Sequence, residues 1–189
     1  MKVHNIVLFG ALILYSCYSP SMDGLETKPA VGLTINGKKE GEWKTHYTNR
    51  QIAKIENYRN DTLNGQLSYF DEKGNIKGKQ FYRMGLKVDS SMMYFPNGQA
   101  NLEEWKDSTG KTQGLFKVYH PNGQLSQIGF MKDNYLDETC KTFFENGQLK
   151  AIEIYKDRKK EGTWQYFSKE GNLIRTEVFN NDVLINSKE

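Results

Sequence analysis

Tyr119-His120-Pro121-Asn122-Gly123-Gln124-Leu125 decides how this chain folds, because nearly the same run is written twice more. The other copies are Tyr94-Phe95-Pro96-Asn97-Gly98-Gln99 and Phe143-Phe144-Glu145-Asn146-Gly147-Gln148-Leu149. Looser forms of the turn stand at Asn49-Arg50, Lys73-Gly74 and Glu170-Gly171. The second turn residues fall at 50, 74, 98, 123, 147 and 171, so the steps are 24, 24, 25, 24 and 24. A fixed period of this length means one supersecondary unit stacked on copies of itself. Such a chain makes an extended surface, and a single catalytic pocket is not its natural product.

The copies align without internal gaps if they begin at Gly41, Gly65, Asp89, Gly114, Glu138 and Gly162. The one extra residue then lies in the connector between Asp107 and Gln113. Two positions after each start come Trp43, Leu67, Ser91, Phe116, Cys140 and Trp164. Five positions after come His46, Phe70, Tyr94, Tyr119, Phe143 and Phe167, every one a ring. Past the turn lie Ile52, Ile76, Ala100, Leu125, Leu149 and Leu173. Two neighbouring apolar columns follow, one through Phe81, Trp105 and Phe130, the next through Tyr58, Tyr82 and Tyr155.

Each copy therefore reads as a short strand, a tight turn, a longer strand and a polar connector. Asn-Gly between apolar runs is a strong hairpin signal, on the ground that both residues tolerate positive φ. Val31 and Leu33 fit the second strand of an incomplete preceding copy, so the array begins near residue 31. Apolar columns on both parities of a strand predict a single-layer sheet that twists and curls, with one face buried in the curl and aromatic ladders on the other. Turn length, and with it register, stays open between two and three residues.

The first seventeen residues are a separate object. A positive start at Lys2 precedes an uncharged run from Ile6 to Tyr15, too short for a transmembrane helix and right for a signal peptide. It closes with Leu14-Tyr15-Ser16-Cys17, which resembles a bacterial lipobox, although Tyr15 departs from the usual small residue. The resemblance implies a signal peptide over 1–16, lipidation of Cys17, and a tether over 17–30 ahead of the repeat domain at 31–189. An ordinary secretory signal with an incidental cysteine is the alternative. With Cys17 lipidated, Cys140 has no intramolecular disulfide partner.

The repeated runs at 94–99, 119–125 and 143–149 resemble the bacterial MORN-repeat variant, over the chain from residue 41 onward. That resemblance implies an all-β fold of consecutive antiparallel hairpins in an elongated, twisted single-layer sheet. It implies a non-catalytic scaffold that binds a protein partner. Joined to the lipobox, it implies an envelope lipoprotein held to a membrane by its lipid, at the outer membrane of a Gram-negative cell, or otherwise a secreted protein. Members of the family are also labelled as antitoxins, so an antitoxin or immunity protein is the second reading. Export argues against a cytosolic antitoxin, while a periplasmic immunity role survives. Arg50 in place of glycine, and Ser91 and Ala100 in place of large apolar residues, mark the first and third copies as looser or bent.

Chemistry-bearing residues are sparse. Net charge is +3 with signs interspersed, which gives no electrostatic case for nucleic acid. His46 and His120 read as imidazoles replacing rings, and no Cys/His spacing matches a metal site, so neither metal nor cofactor is expected. Cys140 takes the place of tryptophan and reads as a buried small apolar residue. Glu103, Glu104 and Asp107 read as a solvated face, and Lys156 to Lys160 as an exposed connector. The best binding candidates are Phe70, Tyr94, Tyr119, Phe143 and Phe167, as an exposed strip for a peptide or glycan. Against that stands the same column as the buried core, in which Tyr119→Ala costs about 3–5 kcal/mol.

Overall fold

Two kinds of turn alternate along the chain, and between them they set the whole architecture. The computed structural model describes residues 26–189. The expected signal peptide, Cys17 and most of the expected tether lie outside these residues. Sixteen strands follow one another: β1 Val31–Ile35, β2 Lys38–His46, β3 Ile52–Arg59, β4 Thr62–Leu63, β5 Gly65–Phe70, β6 Ile76–Arg83, β7 Leu86–Tyr94 and β8 Ala100–Lys106, then β9 Gly114–Tyr119, β10 Leu125–Lys132, β11 Tyr135–Phe143, β12 Leu149–Lys156, β13 Lys159–Lys160, β14 Gly162–Phe167, β15 Leu173–Asn180 and β16 Val183–Lys188. Each pairs antiparallel with its sequence neighbours in one open sheet, with β4 and β13 as short arms on β3 and β12. The all-β hairpin array expected from the period is the fold.

The Asn-Gly turns are three-residue turns, which closes the question of length. In residues 95–99, Phe95 N donates to Gln99 O at 2.8 Å and Gly98 N donates to Phe95 O at 2.9 Å. Only Gly98 takes a positive φ, of 85°. The expectation that both residues would do so fails here, because a type I turn followed by one left-handed residue closes a three-residue loop. The asparagine acts through its side chain instead: Asn97 Oδ1 accepts from Gln99 N at 3.1 Å. Asn49, Asn122 and Asn146 repeat this bond. Arg50 keeps the turn at φ 73°, so the first copy is strained at one residue and not looser.

The turns with two left-handed residues are hidden in the polar connectors. Asn36-Gly37, Asn60-Asp61, Met84-Gly85, Asp133-Asn134, Asp157-Arg158 and Asn181-Asp182 all have paired positive φ values. Each joins two directly paired strand ends, such as Lys132↔Tyr135, as a type I′ hairpin requires. The extra residue of the fourth connector falls where the period placed it. There Asp107 N donates to Lys111 O and Gly110 N to Asp107 O, so one inserted residue converts the two-residue turn into the three-residue kind.

Each copy has two bulges, and the first explains why apolar columns fall on both parities. One extra residue follows the Asn-Gly turn: Leu125↔Tyr119 is succeeded by Gln127↔Val118, leaving Ser126 over. The slip carries the residues beyond it to the other face. The second bulge sits at the copy start, where Gly41, Gly65, Asp89, Gly114, Glu138 and Gly162 all take positive φ. Bulges bend the strand and raise its twist, so the two in each copy curl the sheet. The inner face then collects Phe116, Val118, Cys140 and Trp164, all buried, with Leu102, Met131, Leu136 and Tyr155 packed on the first three. Ring contacts continue the stack, with Tyr155 to Trp164 at 5.2 Å and Trp164 to Phe179 at 4.9 Å.

Candidate interaction surface

The ring column lies on the face opposite the buried one. In β9, Phe116 and Val118 are buried, while the alternating Leu115, Lys117 and Tyr119 are exposed or half-buried. Phe70, Tyr94, Tyr119, Phe143 and Phe167 are all half-buried, as is His46. The column is therefore not the core. The rings are adjacent to main-chain and polar partners: Tyr119 Oη donates to Glu103 Oε1 at 3.0 Å, and Tyr94 Oη reaches Met92 Sδ at 3.7 Å. Burial and the Glu103 carboxylate raise the Tyr119 phenol above its usual pKa. Phe70 and Phe143 lend their carbonyls to Tyr47 Oη at 2.7 Å and to His120 Nε2 at 3.0 Å. Both donors lie one copy back, so His120 is a rung between copies. A carbonyl only accepts, which places the His120 proton on Nε2.

Beside this strip the middle of the outer face carries three exposed large side chains. Trp105 is 50% exposed, Leu115 46% and Phe130 43%. Phe130↔Leu115 is directly paired across strands, and Trp105 and Leu115 line one depression, which makes the three side chains one band over β8, β9 and β10. A shallow depression of about 170 Å³ lies among Ser90, Glu103, Trp105, Leu115 and Lys117. Lys117 Nζ and Glu103 Oε2, 3.7 Å apart, edge it with opposite charges.

The inner face holds polar groups that the reading of the residues missed. Opposite the tryptophan column runs a second one through Glu56, Gln80, Glu104, Glu153 and Glu177, paired directly as Trp43↔Glu56, Cys140↔Glu153 and Trp164↔Glu177. Tyrosine hydroxyls from flanking positions bond to four of them. Burial raises the Glu153 carboxyl, with Tyr155, Lys160 and Lys150 pulling the other way and Glu177 adding to the rise. Its signal was present in the sequence: the positions recur at the repeat spacing beside apolar columns. Hydrophobic patterning alone passes over it.

Three expectations change accordingly. Glu104 is not on a solvated face: it bonds Lys106, which is 3% exposed, at 3.2 Å, and Lys106 Nζ donates to Thr112 Oγ1 at 2.7 Å. Ser91 is buried against this pair, so the third copy is a polar seam in register with its neighbours. Asp107 caps its own turn through Oδ1. Within the basic run, Lys160 is half-buried and lies 4.6 Å from the Trp164 ring and 4.9 Å from that of Phe179. Cys140 is fully buried, and burial pushes its thiol up to about 11, as a packing residue requires.

Four segments of the chain, residues 63–84, 112–133, 139–157 and 160–181, match the family model described as MORN repeat variant. Three of them start two residues before a copy start and end on the first residue of a type I′ turn. The copies without a match are those carrying Arg50 and Ser91 with Ala100. No curated protein matches the chain.

Proposed function

We propose that the array is a non-catalytic scaffold that binds a protein partner on its outer face, and that it works as a lipoprotein of the cell envelope. The observation that carries the first part is the outer face itself. A sheet normally leaves one face polar, but here half-buried rings run along it beside an exposed Trp105, Leu115 and Phe130 band. Contiguous exposed apolar area of this kind marks interaction sites. Aromatic anchors with a polar rim are what partners bury. The match to a repeat family supports a scaffold role. The envelope placement is supported by Leu14-Tyr15-Ser16-Cys17 after an apolar run.

The test is crosslinked capture from envelope fractions with the intact chain and with Trp105→Ser and Phe130→Ser together. Both sites are exposed, so the fold is expected to survive. The reading predicts a protein that is lost from the double variant. Equal capture by both forms removes the outer face from the account. Intact mass settles the anchor: an acylated chain starting at Cys17 supports it, and retention of residues 1–16 overturns it.

A further inference from the structure

The type I′ turns are docking elements. In each docked copy, the second turn residue reaches back to the strand residue two before the preceding copy start. Asp61 N donates to Lys39 O at 3.0 Å while Asp61 Oδ1 accepts from Lys39 N at 2.7 Å. Asn134 makes the same reciprocal pair with Thr112, and Asp182 with Lys160. Gly85, lacking a side chain, makes only the first bond, to Leu63 O. The first turn residue adds a third contact: Asn60 N donates to Glu40, Asp133 N to Gln113, and Asn181 N to Glu161.

At the turn Asp157-Arg158 this rung is open. The corresponding receptor is Leu136 with the carboxylate of Asp137, yet among the described residues no turn bond reaches either. Position 158 holds arginine where the docked turns hold Asp, Asn or Gly. A guanidinium offers no acceptor for the Leu136 N–H. It lies instead over the Tyr135 ring, 4.1 Å from its centre. A groove of about 220 Å³ opens at this place, lined by Leu136, Asp137, Asp157, Arg158, Tyr135 and Lys132 among others.

We propose that this open rung is a binding site for the tip of a partner's hairpin: a two-residue turn whose second residue is Asn or Asp. The docked rungs show the chemistry of the occupant. Its first N–H goes to Asp137, its second N–H to Leu136 O, and its side-chain oxygen accepts from Leu136 N. The site refines the scaffold reading, on which it rests, by naming one contact point and the motif it takes. The flanking Asp137 and Asp157 favour a neutral first residue such as Asn.

The probe is a disulfide-cyclised hairpin peptide with an Asn-Asp tip, titrated into the folded chain while amide resonances are followed. The Leu136 amide is expected to shift saturably. A control peptide with an Asn-Gly tip keeps the turn and loses the acceptor, and is expected to bind at least several-fold more weakly. Arg158→Asp supplies the missing acceptor within the chain and should abolish the response. Without peptide, Leu136 should exchange its amide hydrogen at least ten-fold faster than Lys39, Thr112 and Lys160. Equal protection at the four amides in the wild-type chain overturns the site, as does a flat titration or a response unchanged by Arg158→Asp. A flat titration leaves the outer-face capture experiment standing, and failure of that capture leaves the titration readable.

Discussion

At the residue scale, the asparagine of each Asn-Gly turn does two jobs, and neither is a left-handed backbone. Its Oδ1 caps its own turn, and its Nδ2 crosses to the next one. Asn49 donates to Glu72 O, Asn97 to Pro121 O, Asn122 to Glu145 O and Asn146 to Lys169 O, at 2.7 to 3.2 Å. A hydrogen bond of this kind contributes about 0.5–1.5 kcal/mol. Asn122→Ala removes both bonds and is expected to cost about 1–2 kcal/mol in a urea melt, while Asn122→Asp keeps the cap and should cost less. No loss in the alanine variant would mean that the rung contributes nothing. Arg50 holds a positive φ of 73°, at a position where the later copies use glycine. A left-handed non-glycine residue costs roughly 1–2 kcal/mol, so Arg50→Gly is expected to raise stability by about 1 kcal/mol. A lower melting midpoint would contradict the strain.

At the element scale, the bulges decide which ring is core and which is surface. Tyr119 is half-buried on the outer face and Trp164 is buried on the inner one. Trp164→Ala is therefore expected to cost about 3–5 kcal/mol, and Tyr119→Ala about 1–2 kcal/mol, in parallel denaturant melts. Equal losses would put the two columns on one face. The inner-face carboxylates give a pH signature. Glu153 has its pKa raised on folding, so the native state binds its proton more tightly than the unfolded chain does. Its contribution to stability is complete below the unfolded pKa and is lost as pH rises through the raised one. Glu153→Gln, which copies Gln80 in the same column, should flatten that loss and stabilise the chain at neutral pH. An unchanged stability-versus-pH curve would show that Glu153 does not titrate in this window. The repeat, the strand order and the site of the insertion were all legible in the spacing of Asn-Gly pairs. The bulges were not, because an extra strand residue has no composition of its own: Ser126, Lys77 and Ala53 fill the same slot. The type I′ turns were partly legible as Asn-Gly and Asn-Asp pairs in connectors, but Met84-Gly85 and Asp157-Arg158 disguise them. The ring column was visible, and its side of the sheet was not, since that side follows from the bulges.

At the scale of the whole molecule, each copy touches only its neighbours, through the ladder and through rungs at both sets of turns. An array of this kind gains stability from its interfaces more than from any one unit. A lone two-stranded hairpin is marginal in water, so the central copies, flanked on both sides, should be the last to open. Strands β1 and β16 are exposed throughout their length, whereas β9 to β12 surround the buried Phe116, Val118 and Cys140. Native-state hydrogen exchange tests this directly. The expected result is a graded profile, with the slowest amides in β9 to β12 and opening free energies falling toward both β1 and β16. A single uniform opening energy across residues 31–188, or maximal protection at the two ends, would contradict an array held together by neighbours.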